Sequence, residues 1–123
     1  MYEPYADKEY YLKIYQGKIP EDDVDKALKN ASRHIDILTY NRIKRATLSP
    51  YQKEIIEEVC CEMADFEYEN EDMLKSVLKS YSINGTSMTF GESWNIYVHN
   101  GVAVNMDSYA KLKSTGFTGA VLR

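Results

Sequence analysis

At 123 residues and a formal net charge of −4, the chain has the length of one domain with a real but modest core. The acidic balance argues against a general nucleic-acid binder, which carries a basic excess. No apolar run is long enough to span a bilayer, and MYEPYADKEYY lacks the basic start and apolar stretch of a secretory leader, so a cytosol is the expected location and no membrane partner is expected.

In chain order, Asp7 to Tyr15 reads as a short helix with Tyr11, Leu12, Ile14 and Tyr15 as its apolar side and Gly17 as its stop. Pro20 then opens a second helix at the first helical position, and Glu21, Asp22 and Asp23 suit the positive end of its dipole. Val24, Leu28, Ala31, Ile35 and Leu38 recur at alternating intervals of four and three, which is one buried stripe. Fraying is expected at Thr39 to Asn41. Ser49-Pro50-Tyr51-Gln52 is a capping-box start, with Ser49 as cap, Pro50 at N1 and Gln52 at N3. The following helix carries Ile55, Ile56, Val59, Cys60, Met63 and Phe66, and helical spacing resumes at Met73, Leu74, Val77 and Leu78.

The period then changes. Asn84-Gly85 lies between alternating residues, which predicts a hairpin with Ile83 opposite Thr86, Tyr81 opposite Met88 and Lys79 opposite Phe90. Tyr81, Ile83, Met88 and Phe90 would share one face. A second ribbon is expected around His99-Asn100-Gly101 as a three-residue loop. Val98 would then face Val102, Ile96 would face Val104 and Trp94 would face Met106, all on one face, though an extended arm is equally compatible. Asn105 can cap a last helix, Met106 to Ser114, with Gly116 as its stop. The predicted class is mainly α: one domain (1–123) with a helical bundle (7–78), a C-terminal β-hairpin or two (79–104), and a short terminal helix or arm (105–123).

Charge is unevenly spread. Lys26, Lys29, Arg33, Arg42, Lys44, Arg45 and Lys53 dominate Val24 to Lys53, whereas Glu54 to Asp72 holds acids and no base. Two readings stand side by side: faces that attract within one subunit, or a basic face of one subunit against an acidic face of the next. Glu54, Glu58 and Glu62 lie at i,i+4 spacing, but without the Glu-x-x-His motifs of di-metal bundles they read as a solvated face. Cys60 and Cys61 are adjacent, so a bridge between them would be strained. They read as free thiols, one of them in the core. His34 and His99 show no metal-like spacing. No nucleophile motif or phosphate-cradling glycine loop occurs. The many tyrosines fit packing and interface roles better than base stacking, because no basic groove accompanies them. No catalytic, cofactor or metal residues are expected; the residues alone point to an interaction module.

The order of several packing and turn signatures adds a family likeness. Tyr10-Tyr11, Tyr15, Gly17, Ile19-Pro20, Ala31-Ser32, Ile35-Asp36, Leu38-Thr39 and Arg42-Ile43, then Ser80-Tyr81-Ser82, Ser87-Met88-Thr89, Leu112 and Thr115-Gly116-Phe117, resemble the small head–tail connector (adaptor) proteins of phages and prophages of Gram-positive bacteria. Two stretches depart from that family: its tail often reads like Tyr-Arg-Gly where this chain has Thr118 to Arg123, and Gly91 to Val104 has no clear counterpart.

The resemblance implies a structural protein of the virion neck, assembled in the host cytoplasm and needing no cofactor. Such subunits form a twelve-fold ring below the portal protein, extend the DNA channel and offer a platform to a stopper or tail-completion protein. DNA passes through without specific binding. Candidate subunit or partner contacts are Arg33, Arg42, Lys44, Arg45, Glu54, Glu58, Glu62, Tyr81, Trp94, Phe117, Leu122 and Arg123. The alternatives are another morphogenesis component, such as a stopper or tail-completion protein, or a small host-modifying enzyme with a convergent polar pocket.

Overall fold

The computed structural model describes residues 2–84, 88–90, 96–99 and 101–118, and at 80–84 and 88–90 the backbone alone. The chain is mainly helical, as expected. A π-helical turn, Tyr10–Tyr15, leads into α1 (Glu21–Leu38), a 3-10 turn (Ile43–Arg45), α2 (Pro50–Glu69) and α3 (Glu71–Asn84). Three short strands follow, β1 (Met88–Phe90), β2 (Ile96–His99) and β3 (Val102–Asn105), and α4 (Met106–Lys113) closes the chain.

The predicted stripe of α1 is the centre of the core. Val24, Leu28, Ala31, Ile35 and Leu38 are fully buried against Ile56, Val59, Cys60 and Met63 of α2. Each of the Val, Leu, Ile and Met side chains contributes roughly 1.5–3 kcal/mol when withdrawn from water. The capping box at Ser49 and Gln52 forms as read, with Ser49 accepting from the Gln52 N–H and Gln52 accepting from the Ser49 N–H. Asn105 caps α4 by accepting from the Asp107 N–H at 2.9 Å. Gly116 takes φ +88° just beyond it. Both cysteines are free and buried, so the core takes two thiols where one was expected.

The first helix ends differently from the expectation. The Gln16 N–H reaches back to the Tyr11 carbonyl at 2.8 Å, five residues away, and Gln16 itself takes the left-handed conformation with φ 59°. Gly17 serves another purpose: a Cβ there would stand 2.1 Å from the Tyr11 hydroxyl. That hydroxyl is pinned, accepting the Ile19 N–H at 2.8 Å and donating to the Asp65 carboxylate. Gly17 therefore makes room for a fixed ring edge.

The ribbon region corrects two expectations. Residues 79–83 form no strand; α3 runs on to Asn84, so Tyr81 and Ile83 lie in a helix. The spacing Leu74, Val77, Leu78 and Tyr81 suits that continuation as well as period-two alternation suits a strand, and four turns of helix outweigh one local Asn-Gly pair. The proposed turn residues 85–87 lie outside the described residues. Met88–Phe90 instead pairs antiparallel with β2, Met88 opposite Val98 and Phe90 opposite Ile96. The sheet order is β1-β2-β3.

In the second ribbon the hairpin forms, but one residue out of the expected register. His99 faces Val102, Val98 faces Ala103, Tyr97 faces Val104 and Ile96 faces Asn105, leaving only residues 100 and 101 between the strands. Met106 belongs to α4, and Trp94 lies outside the described residues. Because side chains alternate, a one-residue slip reassigns the faces. Ile96, Val98 and Ala103 pack with Leu74 and Val77 of α3, while Val102 and Val104 join the α1–α2 core. The hairpin is thus a layer buried on both sides, where apolar residues on one face were expected.

Replacing Gly17 by Ala should lower stability in urea unfolding by about 1–3 kcal/mol, the usual cost of overpacking a fixed site. Unchanged stability would mean that Tyr11 moves aside freely.

Candidate functional site

Four partly buried carboxylates of α2, Glu58, Glu62, Asp65 and Glu67, meet donors from other elements, while burial raises the pKa of a fifth, Glu57. Lys111 of α4 bonds Glu58 at 2.8 Å and also Glu62, which accepts the Ser108 hydroxyl at 2.9 Å. Those hydrogen bonds lower the Glu58 pKa and raise that of Lys111. Asp65 takes the Tyr11 hydroxyl. Glu67 meets His34 Nδ1 of α1 at 2.6 Å. The attraction within one subunit is therefore real for Glu58 and Glu62. Its cation, however, is Lys111, a base outside the stretch that charge patterning singled out, and among those singled-out bases no ion pair to Glu58 or Glu62 is formed. Glu54 is exposed.

The basic stretch is engaged by the N-terminal segment. The hydroxyls of Tyr2, at 2.7 Å, and Tyr5 both donate to Asp36, which is 8% exposed on α1. Burial, with the Asp36 carboxylate second, raises both phenol pKa values, so both remain donors. Arg33 lies over the Tyr2 ring at 4.2 Å, and the Lys44 ammonium lies 4.7 Å and 4.5 Å from the Tyr2 and Tyr5 rings while donating to the Glu3 carbonyl. Arg42 covers Tyr40 at 5.0 Å and donates to the carbonyl of half-buried Phe117 at 3.4 Å. Arg45 is exposed at the end of the 3-10 turn. Of the remaining predicted contacts, Tyr81 lies on α3 with its side chain outside the described set, as are Trp94, Leu122 and Arg123 altogether.

The sequence reading missed a groove of about 470 Å³ between α1, the end of α2, α3 and the β2–β3 turn. Asp23, Lys26, Ala27, Asn30 and His34 line it from α1, Glu67 and Tyr68 from α2, and Glu71, Leu74, Lys75 and Leu78 from α3 and its start. The signal for it was a polar strip, Asp23, Lys26, Asn30 and His34, beside the buried stripe of α1. Tyr68 donates to Asp23 at 2.9 Å, and Lys75 sits 3.3 Å from Glu71. Burial works against a charge on His34, but the hydrogen bond and the attraction from Glu67 prevail, so its pKa is raised. No Ser, Thr or Cys lines the groove among the described residues, and the hydroxyl that does, that of Tyr68, is engaged by Asp23. Among them, too, no group of three His, Cys, Asp or Glu could hold a metal ion. Burial raises the Cys60 thiol to about 11 and pushes Cys61 up as well.

Comparison with protein-family models, curated proteins and solved structures found no match. No helix among the described residues is long and apolar enough to cross a membrane.

A raised folded pKa stabilises the protein fully below the unfolded value, near 6.5, and the gain is lost as pH rises through the folded value. Unfolding free energy should therefore decline as pH rises above about 6.5, and His34→Gln should flatten that decline. An equal slope in the variant would remove the His34–Glu67 pair as its cause.

Proposed function

We propose that the chain is the subunit of a phage head–tail connector ring, seated below the portal protein in the virion neck and offering a platform to a stopper or tail-completion protein. The observation that carries this reading is the ordered set of signatures shared with connector proteins, running from Tyr10-Tyr11 to Thr115-Gly116-Phe117. These residues have coherent work in the fold. Tyr11 and Gly17 interlock, Ser32 accepts the Tyr5 N–H, and Asp36 receives Tyr2 and Tyr5. Thr115 offers its carbonyl to Gln52 at 3.0 Å, and the Thr115 hydroxyl donates to Leu112. Tyr11, Ser32, Asp36 and Thr115, among the positions of that set, thus help to hold both ends of the chain on the α1–α2 pair.

A ring of a single protein needs two different patches per subunit, one donating and one accepting, so that the contact repeats head-to-tail and closes. The basic surface flanking Arg33 to Arg45 and the acidic ends of α2 and α3 supply patches of opposite sign. The channel role asks only that DNA slide through, which suits an acidic chain.

Co-expression with the portal protein encoded in the same genome, followed by native mass measurement, should give a portal-bound ring with twelve copies of this chain. A monomer that ignores the portal would sink the connector reading.

A further inference from the structure

The α1 helix separates two surfaces that cannot meet within one subunit. At 100° per residue, Asp23, Ala27, Asn30 and His34 fall on one side and Ser32 and Asp36 roughly half a turn away. The first side lines the groove. The second carries the N-terminal segment, over which the Ile43–Arg45 turn is fastened through Lys44. The described arginines differ in their commitments. Arg33 lies on Tyr2, Arg42 lies on Tyr40 and reaches Phe117, and the exposed guanidinium of Arg45 makes no hydrogen bond or ion pair among the described residues.

We propose, resting on the connector reading, that the groove is the acceptor half of the subunit contact, and that its occupant is Arg45 of a second copy of this chain. Two exposed carboxylates and an apolar wall suit that occupant. The groove has an apolar wall, Leu74 and Leu78, along which an aliphatic stem can lie, and exposed carboxylates at Glu71 and Asp23. A guanidinium can fork onto a carboxylate with two parallel bonds, which an ammonium cannot. Lys75 is the present partner of Glu71, but their side chains are 71% and 67% exposed, so that pair is readily displaced. Lys26 of α1 also lines the groove, and it leaves Arg45 the Glu71 carboxylate on the α3 side. Donor and acceptor lie on opposite sides of α1, so each copy can give and receive at once, as a closing head-to-tail ring requires.

The test is assembly on the portal by Arg45→Glu, Arg45→Ala and the charge-exchanged Arg45→Glu/Glu71→Arg chain, with circular dichroism to confirm folding. Arg45 is exposed, so the single variants should fold. Both should weaken subunit association about tenfold per contact or more, and the exchanged pair should restore it. Rings formed by Arg45→Glu as completely as by the parent would overturn the contact while leaving the connector reading intact. Loss without rescue by Glu71→Arg would overturn Glu71 as the acceptor. A parent chain that does not assemble with the portal would overturn the connector reading itself.

Discussion

The arrangement depends on α2 being packed on several sides while carrying a long run of acids. The π-helical turn, α1, β3 and α4 all pack on it. A helix with one buried stripe can leave its charges in water, but a hub cannot, because the perimeter carboxylates are partly withdrawn. An unpaired carboxylate there would be costly, and the π-helical turn, α1 and α4 reduce that cost by each bringing a donor. Tyr11 serves Asp65, His34 serves Glu67, and Lys111 with Ser108 serves Glu58 and Glu62. The same bonds fix which neighbour lies where around α2. The acids are therefore orientation marks for the bundle as much as a solvated face.

This hub explains what was legible in the sequence and what was not. The α1 stripe, the Ser49 capping box, the Asn105 cap and the Gly116 stop are local, and each formed as read. Asn-Gly occurs twice, and the two copies behave differently. The first follows a helix that continues through Asn84, while residues 100 and 101 separate paired strands. The difference is not local. Ile96, Val98 and Ala103 need a second apolar layer, and α3 supplies it with Leu74 and Val77. A ribbon read as one-faced has no use for that layer, and the slip in register follows from it.

The groove was hidden for a similar reason. Its walls come from residues far apart in the chain, and its charged groups looked solvated when each segment was taken alone. His34 appeared isolated because its partner, Glu67, stands 33 positions away. Lys111 fell outside the basic stretch altogether, although it carries the shortest route between α4 and the acids of α2. Charge patterning along a sequence sees blocks; it does not see which block faces which helix.

The N-terminal segment links these internal bonds to the outer surface. Asp36 is nearly buried on α1, and two phenols from Tyr2 and Tyr5 converge on it. Their rings then present faces to Arg33 and Lys44, so a carboxylate, two phenols and two cations form one connected cluster. Cation–ring contacts of this kind are weak singly and gain when desolvated and shared. The cluster holds the start of the 3-10 turn against α1 while leaving Arg45, the next residue, outside it. A basic stretch that looked uniform is thus divided by structure: Arg33, Arg42 and Lys44 keep the subunit together, whereas Arg45, like Lys29 and Lys53, stands exposed.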